Sequence, residues 1–131
     1  MASIAYKNLE TWQHGMDLVE RCYKATVNFP REELYGLTSQ LRRSAVSIPS
    51  NVAEGCCRRN TKVYAYHVAI SLGSHGELET CIELACRLGF LQSNARDALE
   101  QQAGSVGRLL SGLHRSLEDK IRREEAKPSR S

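Results

Sequence analysis

Apolar residues along this chain recur at the three- and four-residue steps of an α-helix, and the strict alternation of a strand is almost absent. Residues 8–28 carry Leu9, Trp12, Met16, Val19, Tyr23 and Thr26 in one stripe, the pattern of a bundle helix. "FPREELYG" follows: Pro30 stops the first helix, and Glu32 and Glu33 suit the positive end of the next. A second helix is expected over 33–59. Its core face is Leu37, Leu41, Ala45, Ile48 and Val52, which fall within about 80° of each other at 3.6 residues per turn. Asn60 and Thr61 offer capping oxygens for a third helix over 62–88, with a stripe of Val63, Tyr66, Ile70, Cys81, Leu84 and Leu88 and a stop at Gly89. Ser93 or Asn94 caps a fourth, lined by Leu99, Gln102, Val106, Leu110, Leu113, Leu117 and Ile121. Four helices of roughly 20–27 residues with short turns predict an all-α, up-down-up-down four-helix bundle. The expected domain is 1–123, with 124–131 a polar, disordered tail.

The rhythm of the second helix runs straight through Pro49. Such a proline removes one hydrogen bond and presses on the carbonyl four residues back, at ~3 kcal/mol in an exposed helix. Arg43, Ser47, Ser50 and Glu54 lie opposite the core face, and Ser39, Val46 and Ala53 form a small-residue flank at heptad spacing. The expectation is a kinked helix in which hydroxyls and Asn51 satisfy the freed carbonyl and the flank admits a second copy of the chain. A solvated polar face with a tolerated kink is the alternative. In the third helix Gly73, Ser74 and Gly76 sit at mid-length, where each glycine costs ~1 kcal/mol, and close backbone approach is the usual reason. Glu77 lies near the apolar stripe and needs a partner, Arg42 or Arg43, unless it is hydrated at the helix edge.

Composition narrows the class. The chain has 131 residues, 41% hydrophobic and 25% charged, ordinary for one soluble domain. No apolar run approaches the ~20 residues of a membrane span, and the start has no secretory pattern, so a cytoplasmic protein without membrane contact is expected. The five cysteines include no C-x-x-C and read as reduced thiols. Cysteines and histidines could still converge on a metal, for example Cys56, Cys57, His67 and His75. Buried or near-surface fillers are the preferred reading, with no metal and no cofactor. The net charge is +3. "RRNTK" is one basic patch, and from Arg108 onward seven basic residues face four acidic ones. Arg58, Arg59 and Lys62 at a helix junction, with Arg115, Lys120, Arg122 and Arg123, are therefore candidate phosphate contacts; a solvated basic turn is the alternative. Aromatics for stacking on bases are few, Tyr64 and Tyr66 being the nearest.

Enzyme chemistry finds little footing. Di-iron bundles need Glu-x-x-His, and no such tetrad occurs. Arg108 and His114 have the spacing of a helical ribonuclease, an imidazole acting as acid or base beside a phosphate-binding guanidinium. However, Leu109 follows the arginine where those nucleases carry a polar residue, and the pair lies far apart round an ideal helix. No enzyme is expected.

"YKNLETWQHGMDLV", "FPREELYGLTSQLRRSAVSIPSNVAEG", "RRNTK" and "LGSHGELET" resemble, over Tyr6 to about Leu91, the four-helix bundle proteins of 23S rRNA intervening sequences; the fourth helix matches only in pattern. The resemblance implies a ring-like homo-oligomer, commonly a pentamer. It also implies a fold shared with the accessory variability determinants of diversity-generating retroelements, which bind nucleic acid and a reverse transcriptase through a basic surface. The family's motif falls on Arg42, Arg43, Ser47, Pro49, Asn51, Glu54, Gly55 and Arg58, then Gly73, Ser74, Glu77 and Glu79. Cys56 and Cys57 stand where an aromatic residue and a glycine are typical, and His67 and His75 replace apolar residues. The combined expectation is a non-enzymatic accessory binding RNA or DNA. In it Arg42, Arg43, Ser47, Pro49, Asn51, Glu54 and Glu77 are structural or interfacial. The alternative is a scaffold for a protein partner such as a reverse transcriptase.

Overall fold

The computed structural model describes residues 2–127. After a 3₁₀ segment over Ala2–Asn8, the chain forms α1 (Glu10–Thr26), a 3₁₀ turn over Arg31–Glu33, α2 (Leu37–Cys57), α3 (Thr61–Arg87) and α4 (Ser93–Ala126). Each helix packs on the next and α4 closes back onto α1, an up-and-down four-helix bundle.

Several boundaries differ from expectation for local reasons. Glu33 does not begin α2. It stands outside the helix, and its carboxylate accepts a hydrogen bond from the Leu37 N–H at 3.0 Å. Gly36 leaves room for that carboxylate: a Cβ would sit 2.8 Å from Glu33 Oε1 and push the side chain off the bond. Neither Ser93 nor Asn94 caps α4; Gln92 holds the N-cap position without a side-chain bond. The Gly89 stop is realised, with φ +81° and the Phe90 N–H reaching the Ala85 carbonyl at 2.9 Å. Residues 124–126, assigned to the tail, continue α4, and Glu125 pairs with Lys62 at 3.2 Å. Residues 128–131 lie outside the described residues.

The core is built around Leu18, Leu41, Ile48, Val52, Val68, Leu78, Ile82, Val106 and Leu110, all fully buried. In α2 the buried apolar residues are the expected ones. In α3 Cys81 alone of the expected stripe is buried, and Val63 and Ile70 are half-buried. Tyr66, Leu84 and Leu88 are 65%, 44% and 53% exposed, while Ala65, Val68, Ser71, Leu78, Ile82 and Ala85 also face inward. A similar rotation affects α1. Of the expected stripe Thr26 is buried and Leu9, Trp12 and Val19 pack against the core, but Met16 and Tyr23 lie outside, and Thr11, Gly15, Leu18 and Cys22 are buried as well. Small inward residues let these helices approach α2 closely, and a periodicity weighted by hydrophobic bulk turns the face away from them.

Candidate functional site

The motif residues of α2 assemble along its seam with α3. Asn51 donates through Nδ2 to the Ser47 carbonyl at 3.0 Å and to Ser47 Oγ at 3.1 Å. Its Oδ1 is thereby left to accept from His67 Nδ1 at 3.0 Å, which fixes the proton on that nitrogen. Ser47 Oγ meets Ser74 Oγ at 2.7 Å, and Ser71 Oγ donates to the Ile48 carbonyl at 2.9 Å. Gly55 permits the approach: a Cβ there would lie 2.9 Å from His67 Cβ and 3.2 Å from Tyr64 Cα. Glu54 reaches Arg58 at 3.2 Å and stands 3.9 Å from His67. Ser71 escaped notice in the sequence, and His67 stood out there only as a possible metal ligand and as a departure from the family pattern, not as a partner of Asn51.

Arg42 ties α2 to α1. Its Nε donates to Thr26 Oγ1 at 2.8 Å, and its guanidinium lies 4.5 Å from the Tyr23 ring centroid, a cation at the negative end of α1. The expected pairing of Glu77 with Arg42 or Arg43 is not formed. Glu77 and Arg43 are both exposed, so water stabilises each charge and no ion pair is required.

Pro49 is buried and meets α1 at Gly15, where a Cβ would lie 3.4 Å from the proline Cβ. Its missing N–H leaves the Ala45 carbonyl without a helical partner. Asn51 and Ser71 serve the Ser47 and Ile48 carbonyls instead, contrary to the expected rescue. Outside Pro49 an apolar groove of about 320 Å³ runs between α1 and α2, lined among others by Trp12, Met16, Val19, Val46 and Ala53.

The basic candidates divide between two places. The turn joining α2 and α3 is only Arg58, Arg59 and Asn60. Arg59 has φ +54°, a left-handed conformation that a side chain adopts at a cost of ~1 kcal/mol. Asn60 caps α3 by accepting the Val63 N–H at 3.0 Å. The Lys62–Glu125 pair brings this turn beside the last turns of α4, so Lys120, Arg122 and Arg123 join it at one end of the bundle. Arg58 pairs with Glu54, and Arg122 with Asp119. Arg59, Lys120 and Arg123 are exposed and have no carboxylate partner among the described residues. Arg115 is elsewhere: it lines a groove between α3 and α4 with His75, Arg108 and Ser111. His114 faces Glu118 at 3.4 Å and is not part of that lining.

The thiols are governed by burial. Cys22 is pushed up from 9.0 to about 12 by desolvation. Cys81 is raised by burial and then by the Glu77 carboxylate. The Tyr64 phenol is raised by burial and by the neighbouring Cys56. His67 is occupied by Asn51, and His75 donates from Nε2 to the Ala103 carbonyl at 2.7 Å. Among the described residues no three or more His, Cys, Asp or Glu side chains are placed to hold a metal ion, and no helix is long and apolar enough to cross a membrane.

The family model described as 23S rRNA-intervening sequence protein matches residues 7–112, and the chain belongs to that family. Among solved structures, a protein of unknown function of the S23 ribosomal protein family from Bacteroides thetaiotaomicron superposes with a TM-score of 0.71. It shares 20% identity and covers 79% of this chain and 97% of its own, a likeness of fold. No curated protein matches the chain.

Proposed function

We propose that this member of the 23S rRNA-intervening sequence protein family is a non-enzymatic cytoplasmic homo-oligomer, a pentameric ring, that binds RNA or DNA through the basic end of each bundle. The observation that carries the reading is the meeting of Arg58, Arg59 and Lys62 with Lys120, Arg122 and Arg123. Arg59, Lys120 and Arg123 are the phosphate contacts, since their charges are not spent on carboxylates. The left-handed Arg59 supports this: glycine would occupy the position without strain, and a retained arginine is explained by use of its side chain. The N–H groups opening α3 add a favourable dipole at the same end. A ring repeats the patch, so modest contacts add up on one strand.

Assembly rests on the outward bulk of α1, α2 and α3. Pro49 bends α2 so that Val46 and Ala53 turn toward a neighbour while Ile48 and Val52 stay in the core. Met16 and Val46 at the α1–α2 groove receive the flat α3 face of the next copy, where a Cβ on Gly73 or Gly76 would meet nothing within 4 Å. Tyr66 and Leu84 flank that face.

Binding is tested by titrating purified protein, cleared of nucleic acid, against labelled single-stranded RNA, duplex RNA and duplex DNA at low and near-physiological salt. Affinity that falls steeply with salt, and falls again in Arg59→Ala/Lys120→Ala/Arg123→Ala, is the expected result. No binding at either salt overturns the nucleic-acid reading in favour of a scaffold for a protein partner.

A further inference from the structure

Between Glu100 and Glu118 α4 contains no acidic residue, yet it carries Arg108 and Arg115. Unlike Arg58, Arg87 and Arg122, which pair with Glu54, Glu83 and Asp119, these two have no carboxylate partner among the described residues. Arg108 donates only to Ser105 Oγ at 3.2 Å, and Arg115 makes no hydrogen bond or ion pair among the described residues. Both line one groove of about 440 Å³ against α3, a size within the range of small-ligand clefts. Ser111 lies between them at i+3 and i−4, on the same helix face. Its hydroxyl makes no hydrogen bond among the described residues, whereas Ser105 bonds back to the Gln101 carbonyl at 3.3 Å.

The floor of the groove is built. At Gly107 a Cβ would stand 2.7 Å from His75 Cε1, so the imidazole occupies the space a side chain would take. The ring is held there by Nε2–H donation to the Ala103 carbonyl at 2.7 Å. The Arg108 guanidinium lies over Gly104, where a Cβ would stand 3.5 Å from Nη1, an ordinary contact. Glu79 stands 3.5 Å from His75 Nδ1 and lines the next groove along α3, with Thr80 and Glu83.

We propose that this groove binds a phosphate monoester, its dianion held by Arg108 and Arg115 with the Ser111 hydroxyl donating between them and His75 forming the floor. Two planar guanidinium forks and a hydroxyl match a tetrahedral group with three terminal oxygens. Engaging it costs Arg108 only one long, exposed bond to a neutral oxygen. The site is separate from the bundle end invoked above and does not depend on it. Such a phosphate has two sources: a small phosphorylated molecule, or the 5′ end of a nucleic acid.

The full-length protein is titrated with inorganic phosphate, and separately with one oligoribonucleotide carrying either a 5′-phosphate or a 5′-hydroxyl. Saturable phosphate binding is expected, weakened on the order of tenfold or more in Arg108→Gln and in Arg115→Gln and less in Ser111→Ala, with helical circular dichroism unchanged. A 5′-phosphate that strengthens oligonucleotide binding through Arg108 identifies a strand end as the source. Phosphate binding with no preference between the two oligonucleotides identifies a small phosphorylated molecule. Absence of saturable phosphate binding together with no 5′-phosphate preference overturns the proposal, as does binding that both Gln variants retain. The 5′-hydroxyl oligonucleotide reports the basic bundle end alone, so failure of one idea is visible apart from the other.

Discussion

Helices α2 and α3 share one seam but meet it differently. In α2 the bulky apolar residues Leu37, Leu41, Ile48 and Val52 are the buried ones, and its polar residues complete the seam through Asn51 and Ser47. In α3 the inward face mixes Val68, Leu78 and Ile82 with the small Ala65, Ser71 and Ala85, and Tyr66, Leu84 and Leu88 are left outside. A subunit stable by itself has little reason to expose that bulk beside a glycine-flattened surface. The difference teaches that α2 keeps most of its apolar bulk inside its own chain, whereas α3 leaves much of its bulk outside, which in the proposed assembly a neighbour would cover.

The contrast breaks most visibly at paired leucines. Leu78→Ala, at a fully buried position, should cost about 2–5 kcal/mol in denaturant unfolding. Leu84→Ala should change subunit stability by less than about 0.5 kcal/mol and weaken assembly instead; equal losses would erase the distinction. Glycines sharpen it further. Gly55→Ala drives a Cβ into His67 and the Tyr64 backbone and should cost about 1–3 kcal/mol. Gly73→Ala meets only open space within the chain, so it should gain up to ~1 kcal/mol of helix stability while reducing the assembled mass. A smaller effect comes from pH. Cys22, Tyr64 and Cys81 all have raised values in the folded state, so the folded chain holds protons that the unfolded chain releases. The stability they contribute is complete below about pH 9 and declines toward about pH 12. Urea midpoints should therefore fall on going from about pH 8 to about pH 10, and less so in Cys22→Ala.

The fold was legible because helix number and the α2 core depend on bulk and spacing, which a sequence displays directly. The Gly89 stop and the Asn60 cap were readable for the same reason. The facing of α1 and α3 was legible only in part: Thr26 and Cys81 were expected inside and are buried, but Gly15, Ala65 and Ser71 give little hydrophobic signal although close packing buries them. The seam network was half visible: Ser47, Asn51 and Glu54 stood out on α2, but their partners Ser74 and His67 lie a helix away, as does Ser71, which bonds the Ile48 carbonyl. Arg58, Arg59 and Lys62 form a patch in the sequence itself; their meeting with Lys120–Arg123 needed the antiparallel return of α4. Arg108 was considered with His114, its neighbour in sequence, while folding placed it with His75.

The most direct test of assembly through the outward faces is the solution mass of the wild-type chain and of Val46→Glu, by size exclusion with light scattering. Val46 is 39% exposed and lines the α1–α2 groove, so a carboxylate there is harmless to a lone bundle and costly in a closed interface. The account predicts a wild-type ring of several copies and a Val46→Glu monomer with unchanged helical circular dichroism. A wild-type monomer, or a variant of undiminished mass, would contradict it.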